Sequence, residues 1–212
     1  MHALFSPDSR FMQAMGRIGD LLLLNFVFLL SCVPLFTIGA ASAALYTVCF
    51  RIGTPREQGV VGSFFRAFRE NFRQGTALWL ILLFCGGTAC LNILAFAGMS
   101  GPLRYAALVF AILLALVLLM AGYAFPLLSR FRNSTRGTFR NALILSLGYL
   151  PRSILIAAIN AFPFALLLLE PYLFFSTGFV WIAVYFSTAG YINSLLLKKV
   201  FAPYTADEEG SQ

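Results

Sequence analysis

Residues 105–128 read YAALVFAILLALVLLMAGYAFPLL, without one charged side chain. As a helix this stretch rises about 36 Å, enough to cross a bilayer core of about 30 Å. Working outward, Thr76–Ala97 is a second such run, joined to the first through the tight turn Gly98–Pro102. On the other side come four arginines, Arg130, Arg132, Arg136 and Arg140. Beyond them Ser153–Leu169 and Tyr172–Leu197 are apolar and meet at Glu170-Pro171. Upstream, Asp20–Phe36 and Ala40–Ile52 are apolar and are parted by Pro34 and Gly39.

Composition agrees with these runs. The 212 residues are 60% hydrophobic and 16% aromatic, and only 11% are charged; the mean hydropathy is +0.85. A soluble domain carries roughly 25% charged residues. This excludes a soluble enzyme, a disordered chain and a disulfide-rich secreted module. The expected fold is all-α, a polytopic membrane helix bundle with five full spans, or six segments counting a short helix, plus interfacial amphipathic helices. A single membrane domain is expected over residues 1–204. Its spans are placed near 20–36, 40–52 (short or re-entrant), 76–97, 105–128, 153–169 and 172–197, with an acidic disordered tail over 205–212.

The net charge of +7 would suit nucleic acid only if the basic residues shared a soluble face. They fall instead in short stretches between apolar runs, which points to membrane orientation and to no nucleic-acid partner. If the later spans alternate, Arg51–Arg73, Arg130–Arg152 and Lys198/Lys199 share one side. That side is expected to be cytoplasmic in a cell membrane, with the C-terminus there. Residues 20–52 either cross once or fold as a hairpin near Pro34–Gly39; the hairpin keeps Arg10 and Arg17 inside and is the favoured reading. Arg10 and Arg17 before Leu21–Leu30, with Ala41-Ser42-Ala43 after it, also have the form of a signal peptide. Cleavage there would export the arginines between Arg51 and Arg73, so an uncleaved first helix is expected.

Residues 1–19 mix Phe5, Phe11, Met12 and Met15 with polar neighbours and suggest a short interfacial helix. Val60–Gln74 has a helical period, with Val61, Phe65, Phe68 and Phe72 on one face and Phe64 at its margin. Arg66, Arg69, Glu70 and Arg73 lie on another face. The expectation is a helix in the headgroup zone, rings inward and guanidinium groups on lipid phosphates or a docked partner. Arg132, Arg136 and Arg140, around the partly polar stretch Thr138–Tyr149, are assigned the same role. Phe68-Arg69-Glu70-Asn71-Phe72 and Thr138-Phe139-Arg140-Asn141-Ala142 echo each other weakly, each feeding two spans.

Catalysis needs positioned acids, bases, nucleophiles or metals. Only two carboxylates, Asp20 and Glu170, border the spans, and both sit at ends. The four cysteines (Cys32, Cys49, Cys85, Cys90) lie in apolar stretches, and the one histidine is His2. Zinc-type spacing, a phosphate-binding loop, an H-E-x-x-H pair and a G-x-S-x-G elbow are all absent. No catalytic residue, cofactor or metal is therefore expected. The intramembrane polar set is Asn25, Thr37, Ser42, Asn92, Asn160 and Asn193. Its ordinary role is interhelical hydrogen bonding. The functional alternative is a polar path past Asn160 and Asn193, where Pro163 frees a backbone carbonyl.

The run Pro34-Leu35-Phe36-Thr37-Ile38-Gly39-Ala40-Ala41-Ser42-Ala43-Ala44-Leu45-Tyr46 resembles the P-x-x-T-x-G, alanine-rich signature of the YesL family of bacterial membrane proteins. Phe64–Gln74, an aromatic and basic helix before the span holding Trp79, is similar to that family's second hallmark. Tyr191-Ile192-Asn193-Ser194 with Lys198, Lys199 and Phe201 resembles its ending. The likeness covers about residues 12–204. It implies a small multi-pass protein without an assigned activity, encoded by genes often found beside carbohydrate importers and glycan-degrading enzymes. It supplies no catalytic residues, and it marks Thr37, Gly39 and Asn71 as structurally constrained. Three roles follow in order of preference: a non-catalytic partner of carbohydrate importer subunits, a small permease or channel acting as a homo-oligomer, and a membrane-embedded enzyme.

Overall fold

A computed structural model describes residues 10–52, 59–131 and 133–209, with side chains over 15–52, 59–131 and 133–204. Among these the secondary structure is entirely helical. Helix α1 spans Arg10–Cys32 without a break at Asp20, so the interfacial helix expected before that residue is continuous with the first apolar segment. A 3-10 turn, Leu35–Thr37, leads into α2, Ile38–Arg51. Helix α3 is Val60–Ala97 and α4 is Ala106–Arg130; a 3-10 turn over Pro102–Tyr105 joins them after Gly101, whose φ of 82° suits glycine. Then come α5, Thr135–Gly148, and α6, Leu150–Leu169. Ser134 caps α5, its Oγ accepting from the Gly137 amide.

Five helical stretches are long and apolar enough to cross a membrane: Met15–Cys32, Val60–Ala97, Pro102–Arg130, Leu150–Leu169 and Gly178–Tyr204. The last differs from the expected 172–197. Helix α7 covers only Pro171–Ser176, α8 covers Gly178–Val180, a π turn occupies Trp181–Tyr185, and α9 runs Phe186–Glu209. The π turn is held from α1. Asn25 of α1 donates its amide to the carbonyls of Trp181 (3.1 Å) and Ile182 (2.6 Å) and accepts from the Ser187 amide (2.9 Å). A π turn disturbs the backbone ladder, and here one buried side chain satisfies the freed groups. At the other end α9 continues to Glu209, so residues 205–209, expected in a disordered tail, are helical.

The short helix α2 is the centre of the bundle. Its alanines at 40, 41, 43 and 44, with Gly39, Leu45, Tyr46, Val48 and Cys49, are all buried. It packs against α1, α3, α4 and α9. Small side chains permit this, because they let neighbouring backbones approach closely. Leu24, Val27 and Phe28 of α1 share one apolar cluster with Ala41, Ala44, Leu45 and Val48 of α2 and with Val60, Phe64 and Ala67 of α3. Helices α1 and α2 therefore form a hairpin closed at Pro34–Thr37. A second cluster joins Ala43 and Tyr46 to Tyr123–Leu128 of α4, Leu145 of α5, Ile156 of α6 and Phe201 of α9.

The two N-terminal hairpins differ in reach. The indole N–H of Trp79 donates to the Leu35 carbonyl at 2.9 Å, so the α1–α2 turn lies level with Trp79. From Trp79 to Ala97 helix α3 rises about 27 Å more. Over that length it pairs with α4, through the stacked rings of Phe96 and Phe110 (5.9 Å) and the fit of Gly86 against Leu114 and Val117. Helix α2 thus lies beside the first half of α3 and the start of its uncharged run, as far as Leu82, and not beside the remainder.

Helix α3 packs on its neighbours by a face other than its aromatic stripe. The buried residues of its first half are Val60, Ser63, Phe64, Ala67 and Gly75. Phe65 and Phe72, expected to turn toward the bilayer interior, are 48% and 40% exposed on the protein surface, alongside exposed Arg66, Arg69 and Arg73. Close packing on an alanine-rich helix selects the small-residue face. Both the aromatic and the arginine stripes are left outside.

Candidate functional site

Two places hold the residues singled out from sequence. The first is a polar cluster where α2, α6 and α9 meet. Asn193 of α9 is fully buried, and its amide donates to Asn160 Oδ1 (2.9 Å) and to the Tyr46 hydroxyl (3.3 Å). Asn160 itself is exposed, on the outer side of α6. The two asparagines nominated for a polar path are brought together. Tyr46 completes the set and was not anticipated, because its position in an alanine-rich run gave no polar signal. Asn193 Oδ1 is buried without a hydrogen-bond partner, which leaves the cluster one acceptor unsatisfied. All three groups are neutral hydrogen-bonding groups. Their hydrogen bonds join α2, α6 and α9.

The helix ends around this cluster are tied by further polar contacts. Ser153 donates to the Ser146 carbonyl (2.7 Å) and meets the Tyr123 hydroxyl (3.0 Å), joining α5, α6 and α4. Gln74 donates to the Asn133 carbonyl (2.7 Å) and lies 3.5 Å from the Thr138 hydroxyl, fastening α3 to the start of α5. The Arg130 guanidinium lies over the Phe50 ring, 5.4 Å from its centroid, and ties the end of α4 to α2.

The second place is the set of arginine faces. Arg66, Arg69 and Arg73 on α3, and Arg136 and Arg140 on α5, are all exposed. Arg132 lies outside the described residues. A groove of about 840 Å³ on α3 is lined by Phe65, Arg66, Phe68, Arg69, Glu70 and Phe72. A crevice of about 360 Å³ lies between α4, α5 and α9, with Leu127, Phe131, Asn141, Ile144 and Phe201 in its wall. Neither touches Asn160 or Asn193.

The signature positions have structural roles. The Thr37 hydroxyl donates to the carbonyls of Ser31 (2.6 Å) and Pro34 (2.5 Å), closing the α1–α2 turn. Gly39 sits against Gly75 and Trp79 at the α2–α3 crossing. Asn71 bonds the Ala67 carbonyl of its own helix (2.9 Å). Asn92, grouped with the interhelical amides, likewise bonds only within its helix, to Thr88 (2.8 Å). Among the described residues, no group of three or more His, Cys, Asp or Glu side chains is placed to hold a metal ion.

Five membrane-length helices around a buried short one define a multi-pass α-helical membrane protein. Residues 21–93, from the middle of α1 into the uncharged half of α3, match a family described as "Protein of unknown function, DUF624". The match contains Thr37, Gly39, Asn71 and Gly75, and so the hairpin turn and the α2–α3 crossing. No curated protein and no solved structure matches the chain.

Proposed function

We propose that this chain is a non-catalytic protein of the bacterial plasma membrane, of the YesL kind, that acts as an accessory or regulatory partner of a carbohydrate uptake system. Its C-terminus is cytoplasmic in this reading. The observation that carries it is the polar cluster at Asn193, whose amide hydrogens are taken up within the protein. Asn193 is fully buried and spends both amide hydrogens on Asn160 and Tyr46, and neither cavity reaches it. A substrate path through a monomer needs an open polar lining at this level, whereas a partner needs an outward surface. The exposed arginines of α5, beside the crevice walled by Ile144 and Phe201, offer one. Carbohydrate uptake enters from the YesL resemblance.

Affinity purification of the tagged chain from native membranes in mild detergent tests the reading. Importer subunits should be recovered in fixed proportion to it. Recovery of the chain alone, as a homogeneous oligomer that moves sugar in liposomes, would favour a permease.

A further inference from the structure

The outer face of α3 combines two groups that neither water nor hydrocarbon accommodates together. Phe65, Arg66, Arg69, Phe72 and Arg73 follow one another by helical steps on the side opposite buried Val60, Phe64, Ala67 and Gly75. Phe65 and Phe72 expose 48% and 40% of their surface between exposed guanidinium groups. Aromatic contacts support them from the side: Phe64 lies edge-on to Phe65 (5.6 Å), and Phe68 edge-on to Phe72 (5.5 Å). Gly62, one turn before Phe65, has nothing within 4 Å of where a Cβ would stand, which leaves the upper end open. The groove described above covers Phe65, Arg66, Arg69 and Phe72 of this stripe, and Arg73 follows just past its end.

Position along the helix identifies the surroundings. Arg73 is the last charged residue before the uncharged run that ends at Ala97. Trp79, whose ring type favours the membrane–water interface, follows a turn and a half later. The stripe therefore ends where the uncharged run begins, and its mix of rings and cations suits a headgroup layer. That layer offers phosphates to guanidinium groups and acyl carbon to rings.

We propose that this face of α3 is a binding site for anionic phospholipid. Arg69 and Arg73 take headgroup phosphate oxygens, and Phe65 and Phe72 lie against the carbons next to the glycerol. Glu70, on one flank of the groove, repels the same phosphate, so the preference is set by the two arginines on the stripe. The surface is continuous with the lipid-facing half of α3, where Leu80, Leu83 and Phe84 are exposed, and complementary in charge to an anionic leaflet. The proposal is independent of any importer partner.

The test is native mass spectrometry of the full chain in mild detergent, titrated with phosphatidylglycerol or with phosphatidylcholine of the same acyl chains. Phosphatidylglycerol should be retained about tenfold more tightly. A basic residue near an anionic surface contributes about fivefold, so Arg69→Gln with Arg73→Gln should weaken its retention roughly twentyfold to thirtyfold. Phosphatidylcholine, whose phosphate is offset by choline, should lose only about two- to threefold, and its residual binding reports that the variant is folded. Arg104→Gln, in the distant α3–α4 turn, should bind as the parent does. Equal retention of the two lipids, or an unchanged double variant, would overturn the proposal. So would displacement of the lipid by millimolar inorganic phosphate, which would mark a plain anion site. Loss of a protein partner by the double variant with lipid retention intact would reassign the face to docking and likewise overturn it.

Discussion

Gly39 and Gly75 meet at the crossing of α2 and α3 with no room for a methyl group on either. A Cβ on Gly39 would collide with the Gly75 carbonyl oxygen, and one on Gly75 would lie 2.9 Å from Ala40 N and Cα. The obstacles are backbone atoms, so the helices must separate to admit a side chain. Gly39→Ala should destabilise the protein by about 3 kcal/mol, the upper end of ordinary overpacking costs, and Gly75→Ala by a similar amount. Gly62→Ala, in the same helix with open space around it, should melt no lower than the parent. Thermal unfolding in detergent, followed by tryptophan fluorescence, distinguishes the three.

Thr37 closes the α1–α2 turn with a single hydroxyl shared between two carbonyls. Thr37→Val keeps the shape and removes the donor, at a cost of about 1 kcal/mol. Thr37→Ser should restore most of it. Equal melting of the valine and serine variants would show that the hydroxyl does not hold the turn.

Asn25 and Asn92 look alike in sequence, each an amide in an apolar helix, yet they bond differently. Asn25 spans to the π turn at Trp181–Tyr185, while Asn92 stays within α3. Asn25→Leu should cost about 2 kcal/mol by leaving buried backbone groups unpaired. It should also shift the emission of Trp181, which is 8% exposed in the parent. Asn92→Leu should leave both readouts within error.

The unequal hairpins predict topology. Arg17 in α1 and Gly59 before α3 lie at the same end of the bundle, whereas Arg104 lies beyond the far end of α3. In a chain with Cys32, Cys49, Cys85 and Cys90 replaced, Arg17→Cys and Gly59→Cys should react with a membrane-impermeant maleimide from one side. Arg104→Cys should react from the other. Labelling of positions 17 and 59 from opposite sides would mean that residues 20–52 cross once, and that the hairpin is not the membrane form.

Much of this was legible from hydropathy. Runs such as Tyr105–Leu128 placed α3, α4 and α6 closely, because a long uncharged stretch has few alternatives to a membrane helix. Pro34 and Gly39 marked the turn and the short helix. What sequence did not show was which face packs on protein. The period of Phe65, Phe68 and Phe72 marked a face for the bilayer, while the contact with alanine-rich α2 runs through Val60, Phe64, Ala67 and Gly75, and it is close at Gly75. The π turn was invisible, since it depends on Asn25, far away in the chain. The pairing of Asn160 with Asn193 was anticipated as a choice of residues. Its closure by Tyr46 was not, because a tyrosine in an apolar run reads equally well as core.

The packing role of Asn193 is tested most directly by sugar flux into proteoliposomes containing the purified chain. Uptake of labelled mono- and disaccharides should be no faster than into protein-free vesicles, in the parent and in Asn193→Leu alike. Saturable uptake by the parent that Asn193→Leu abolishes would contradict a packing role and make the chain a permease.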